Sequence, residues 1–194
     1  ANNMYDLTLH NIGEAYNSLG ESQKALDKFN EALPISQTTG TRILEDHTLH
    51  NIGAAYDSLG ELQKALEKYN EALSIRRARG GRSGEAQTLL GIAQVEQKLG
   101  NLNQARQSLE QAISIIESMR ANISGQELRD SFFASRQEFY QSYIDVLMRM
   151  QSQNPAAAFD SLALEVSERA RARSLLELLA ESRADLRQGV DGSL

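Results

Sequence analysis

The chain contains no cysteine. That excludes a disulfide scaffold and a thiolate zinc site, and it fits a reducing, cytoplasmic setting. Long apolar runs are missing too: none approaches the ~18 residues that a bilayer-spanning helix needs, so no membrane partner is expected. No signal peptide is visible. Positive charge is in deficit, with 20 Lys and Arg against 26 Asp and Glu and a net charge of −6. Phosphate backbones are held by basic stripes, so nucleic acid is not an expected partner. The Arg-rich stretch 169–173 is no exception, because Glu165, Glu168 and Glu177 interleave with it.

Catalytic signatures are also lacking. There is no Cys nucleophile, and no Ser stands in a Gly-x-Ser-x-Gly strand–turn–helix context. Gly80-Gly81-Arg82-Ser83-Gly84 follows no strand, so it does not read as a phosphate cradle. Histidine is limited to His10, His47 and His50. His47 and His50 lie at i, i+3, a spacing that suits a metal pair, but no carboxylate cluster accompanies them at ligand spacing. They read as groove or surface residues. The expectation is a non-enzyme without cofactor or metal.

What the chain does have is a repeat. Thr8–Ile35 and Thr48–Ile75 are identical at 22 of 28 aligned positions, 40 residues apart. A weaker third copy, Thr88–Ile115, keeps the register, since Leu19-Gly20, Leu59-Gly60 and Leu99-Gly100 share the spacing of 40. A fixed period of this size implies a solenoid, whose units bury their apolar faces on one another. Ala1 aligns with Thr41, where the second unit begins, so the sequence reads as cut at a repeat boundary.

Each repeat divides into two helical stripes. Leu9, Ile12, Tyr16 and Leu19 define the first, and Ala25, Leu26, Phe29, Ala32 and Leu33 the second. Gly20 and Gly60 stand where helix-ending glycines belong. The predicted helices are 2–19, 22–38, 42–59, 62–79, 83–99 and 102–121, with Pro34 expected to bend or fray the second. The remainder differs. Ser124–Glu127 is a possible capping box for a long helix carrying Leu128, Phe132, Phe139, Tyr143 and Leu147. Asn154-Pro155 should open a last helix, with Asn as its cap. The expected organisation is three repeats (1–40, 41–80, 81–121), a long helical hairpin packed on the last repeat (122–184) and a frayed tail (185–194).

Leu9, Ile12-Gly13, Tyr16, Ala25, Phe29 and Ala32 resemble the tetratricopeptide repeat signature, as do Leu49, Ile52-Gly53, Tyr56, Ala65, Tyr69 and Ala72. The third copy departs from it, with Ala93 for Gly and Glu96 for Tyr, and should pack differently. The period of 40 resembles the extended repeats of kinesin light chain and spindle-adaptor proteins. The segment 127–181 resembles the linker that joins such repeats to a caspase-like (CHAT) domain in bacterial, especially cyanobacterial, proteins. The resemblance implies an all-α, right-handed α-solenoid of antiparallel helix pairs. It also implies that a caspase-like domain follows Leu194.

In this family the first helix of each pair lines a concave groove for a peptide. By register the groove positions are Leu7, His10, Asn11, Glu14 and Asn17, then His47, His50, Asn51, Ala54 and Asp57, then Gln87, Leu90, Gly91, Gln94 and Gln97. An Asn side chain both donates and accepts, so Asn11 and Asn51 would bind a peptide backbone in register. The plain alternative is two solvated residues copied by duplication. Glu14 and Asp57 hint at a ligand of some basic character. Glu165, Arg169, Arg173 and Glu177 form a series four residues apart, read as a solvated, salt-bridged helix face or as a dock for a downstream domain, which Leu175, Leu176, Leu178 and Leu179 would suit. The expected function is protein–protein interaction through the groove, as the scaffolding or sensing part of a larger bacterial protein. Two alternatives stand beside it: a spacer that self-associates through its repeat ends, and the regulatory arm of a caspase-like protease.

Overall fold

The computed structural model describes residues 2–122 and 136–171. Six helices follow the 40-residue period: α1 (Asn2–Ser18), α2 (Ser22–Thr39), α3 (Arg42–Ser58), α4 (Leu62–Ala78), α5 (Arg82–Lys98) and α6 (Leu102–Ala121). Each predicted boundary holds to within a residue. From α1 to α5 each helix packs on the next, and the first helices of successive pairs also touch, α1 with α3 and α3 with α5. This is an all-α solenoid of helix pairs.

The turns repeat every 20 residues. Gly20, Gly40, Gly60, Gly80 and Gly100 all have φ between 71° and 81°, where a side chain is strained. After each, a backbone N–H reaches back to the last turn: Glu21 to Tyr16 O, Thr41 to Ser36 O, Glu61 to Tyr56 O, Gly81 to Arg76 O and Asn101 to Glu96 O, at 2.8–3.0 Å. That bond satisfies one of the carbonyls a helix end leaves open.

The core between pairs forms where small residues admit large ones. Ala25, Leu26, Phe29, Ile52 and Ala55 make one buried cluster between α2 and α3. A methyl group on Gly13 would lie 2.5 Å from the Phe29 ring, and one on Gly53 would lie 2.8 Å from the Tyr69 ring. The third repeat solves the same contact differently. Ala93 takes the glycine position and Leu109, one residue size down, takes the aromatic position; both are buried.

Two local expectations are corrected. Pro34 does not bend or fray α2, which continues to Thr39. Pro34 is exposed, so the carbonyl it leaves unbonded one turn back meets solvent, and the Thr38 hydroxyl bonds Pro34 O at 2.8 Å. Ile12 and Leu19, placed with Leu9 and Tyr16 on one apolar helix stripe, are 39% and 73% exposed, whereas Ile52 is buried against α2. Ile12 sits on the face of α1 that corresponds to the packed face of α3, whereas Leu19 follows α1 and its counterpart Leu59 is also exposed, at 40%.

The chain divides into two compact units, 1–112 and 113–194. The division falls inside α6. Within the second unit the Tyr140 hydroxyl donates to Glu117, which ties the last turns of α6 to α7 (Gln137–Gln153). Phe139, Tyr140, Tyr143, Val146, Leu147 and Met150 form the buried side of α7. A 3-10 turn, Pro155–Ala157, leads to α8 over 159–171. Asn154 makes no side-chain cap. Gln151 does that work instead: its Oε1 accepts the Phe159 N–H at 2.8 Å, and its Nε2 donates to Pro155 O at 3.0 Å. Glu165 and Arg169 pair at 2.6 Å on an exposed face. The capping box, Leu128, Phe132, Arg173 with the leucines after it, and the tail 185–194 lie outside the described residues.

Candidate functional site

The predicted groove residues separate into two groups. His10 is buried at 3% exposure, and its Nδ1 shares a 2.9 Å hydrogen bond with Thr48 Oγ1 of the next repeat. His50 repeats the contact with Thr88 Oγ1 at 3.3 Å. Their rings lie 5.6 Å from Phe29 and 5.2 Å from Tyr69. At the third equivalent position Leu90 is 1% exposed. This register position therefore joins repeats, and His10 and Leu90 leave the groove surface for the interior. The ring electronics agree. Burial lowers the pKa of His10 against the opposing pull of Glu14. Burial, with Arg76 and His47 adding to it, takes His50 down to about 3.

The second group stays at the surface. Asn11, Glu14 and Gln94 are exposed; Asn17, Asn51, Asp57 and Gln97 are half-buried. Three of the polar positions, Glu14, Asn51 and Asp57, are already engaged across repeats. Asn51 Nδ2 donates to Glu14 Oε1 at 3.0 Å, and Lys98 Nζ pairs with Asp57 at 2.6 Å. Of the acids that suggested a basic ligand, Asp57 is therefore paired with a cation of the protein, while Glu14 accepts from a neutral amide.

Glu14, His47, His50, Asn51 and Gln87 come together in one pocket of about 540 Å³. Six residues absent from the predicted groove set complete it: Arg76 and Arg79 at the end of α4, and Gly81, Arg82, Ser83 and Gly84 at the start of α5. Beneath them Asp46 is fully buried. Its two oxygens accept from Arg76 Nε at 2.7 Å and Arg79 Nε at 2.5 Å. Arg76 Nη1 also donates to Gly84 O at 2.8 Å and Thr88 Oγ1 at 2.5 Å. Such a pair is tolerable inside a protein only because its lone pairs and protons are satisfied.

The repeat alignment contains the signal that could have found these arginines. At the preceding junction the positions of Arg76, Arg79 and Gly84 are held by Ser36, Thr39 and Leu44. A methyl group on Gly84 would lie 2.9 Å from Arg76 Nε, so the large residue has moved from one helix to the other. Asp6, the counterpart of Asp46, is fully buried, and its Oδ2 has no hydrogen-bond partner. Of the two junctions, α2 with α3 and α4 with α5, the second carries the arginine clamp. Among the described residues no three His, Cys, Asp or Glu side chains converge on a metal position.

Matches to the tetratricopeptide repeat family cover residues 5–78 and 48–118. The chain belongs to the tetratricopeptide repeat family. Among solved structures, the tetratricopeptide domain of Arabidopsis FLU is 21% identical, with a TM-score of 0.58 over 61% of this chain and 99% of that one. BtubC (BKLC) from P. vanneervenii is 15% identical, with a TM-score of 0.69 over 89% of this chain and 65% of that one. A putative kinesin light chain from Podospora anserina with nearly identical repeats is 16% identical, with a TM-score of 0.53 over 95% and 93%. These identities speak to the fold alone. No curated protein matches the sequence. Tetratricopeptide folds mediate protein–protein interaction and are typically non-catalytic scaffolds. Among the described residues, no helix is long and apolar enough to cross a membrane.

Proposed function

We propose that this tetratricopeptide protein binds an extended segment of a partner protein along the face built by α1, α3 and α5. The supporting observation is the pocket: side chains from all three first helices line one polar recess. Asn11, Asn17, Asn51, Gln94 and Gln97 lie on those same helices and supply donors and acceptors for a peptide backbone. The role is that of a scaffolding or sensing arm, and a caspase-like domain downstream would be one beneficiary of the captured partner. Selection from a random-peptide display library on the wild type and on Asn11→Ala/Asn51→Ala tests the reading. Peptides enriched on the wild type and lost on the variant support it. Peptides that bind both equally place the site elsewhere.

A specific observation favours self-association as a second reading. Tyr5 and Ile12 form an exposed apolar stripe on α1, and Ile52, the counterpart of Ile12, is packed on α2. Stacking of repeat ends would cover it. Light scattering across a concentration series decides: a constant monomer mass from dilute to concentrated protein removes this reading.

A further inference from the structure

We infer that the pocket between the second and third repeats takes an oxyanion, a carboxylate or phosphate side chain, of the segment bound in the groove. The inference rests on the groove reading and adds the chemistry of the ligand. The chain as a whole is acidic, at −6, yet here the balance reverses. Arg76, Arg79 and Arg82 line the recess with Glu14 as the carboxylate among its lining residues, three guanidinium groups against one, while Asp46 and Glu85 pair with arginines behind the lining. Asp46 and Glu85 are held away from an incoming ligand, whereas Glu14 lines the recess. Asp46 is sealed beneath Arg76 and Arg79. Glu85 is 6% exposed and held by Arg77 and Arg82. Glu14 is bonded by Asn51.

The arginines keep capacity in reserve. A guanidinium has five N–H donors. Arg79 uses Nε within the protein, and Arg82 uses Nη1. Arg82 remains 54% exposed. Asp46 pins Arg76 and Arg79, so their ordering precedes ligand capture and does not subtract from affinity. The start of α5 adds to this field. Gly81 at its N-cap provides no side-chain cap, and Gly81, Ser83 and Gly84 line the recess, so the positive end of the helix faces into it. His47 stands at the rim, half-exposed, with its pKa lowered mainly by burial, so it contributes polarity rather than charge near neutral pH. The preceding junction has Ser36 and Thr39 where Arg76 and Arg79 stand, and it lacks this field. One anionic anchor per bound segment follows, at a fixed place in the groove.

The test uses short fluorescent peptides with alternating Glu-Gly, phosphoserine-Gly and Lys-Gly sequence, titrated by anisotropy against the whole chain. Binding of the acidic peptides and none of the Lys-Gly peptide is expected. Arg82→Gln should weaken it about tenfold, the worth of one charge-assisted hydrogen bond. Ser83→Asp should do the same while favouring the helix start, which separates lost binding from lost folding. The tighter of the Glu and phosphoserine peptides names the oxyanion. Equal binding of Lys-Gly and Glu-Gly, absence of acidic-peptide binding, or indifference to both variants overturns the inference. A display-selected peptide that needs Asn51 but ignores Arg82→Gln and Ser83→Asp would sink the anion pocket and leave the groove standing. Acidic peptides that need Arg82 beside no Asn-dependent binder would do the reverse.

Discussion

Gly53 lies under the ring of Tyr69, and the third repeat shows the alternative in Ala93 and Leu109. Gly53→Ala should destabilise the chain by about 1–3 kcal/mol through overpacking, against a smaller helix-propensity gain. Adding Tyr69→Leu should return part of that loss. Urea midpoints of the four-member cycle measure the coupling, and strict additivity would show that the ring does not set the glycine. The buried carboxylates offer a second contrast. Removing Asp46 leaves Arg76 uncompensated in the interior, so Asp46→Ala should cost about 3–5 kcal/mol. Asp6→Ala should cost clearly less, because Asp6 Oδ2 bonds nothing. Thermal unfolding of both variants checks the order. Histidine supplies a pH dependence. His50 titrates at 6.5 when unfolded and at about 3 when folded, so the unfolded state binds the extra proton between those values. Stability is therefore full above the unfolded pKa and declines as pH falls from 6.5 toward about 3. His50→Leu, the solution found at Leu90, should flatten that decline. An unchanged pH slope in the variant would remove His50 as a cause. The departure at Ala93 was legible in the repeat alignment, but the histidine contact was not: one register position looks identical on paper whether its side chain faces a groove or the next repeat.

The elements, by contrast, were written plainly. Apolar stripes at helical spacing and glycines at the turns fixed the six helices of the repeats, because nothing tertiary overrides those signals in a solenoid. The errors fall where a local rule met a neighbour. Pro34 lies on an exposed side, so its missing N–H breaks nothing that packing depends on. Asn154 had the right composition for a cap, but Gln151 of the preceding helix reaches the Phe159 N–H first. Gln151→Ala should loosen the start of α8, at a cost of about 1 kcal/mol. Faster amide exchange at Phe159 and Asp160, with α3 and α4 unchanged, is the expected readout. The arginine clamp was legible only by subtraction, as what differs between one repeat junction and the next.

At the scale of the molecule, the repeats and the second unit are built on different plans. Residues 1–112 hold the pocket and the polar first-helix face, while 113–194 concentrate aromatic packing around α7. A protein of this design acts by presenting surface, and its family membership agrees. A bound segment should stabilise the first unit by mass action, raising its unfolding midpoint with ligand concentration. The most direct measurement is backbone amide shift mapping by NMR with a display-selected peptide. The groove reading predicts perturbations clustered in α1, α3 and the first turns of α5, centred on Asn51 and Arg82. Perturbations confined to α7 and α8, with α3 silent, would contradict it.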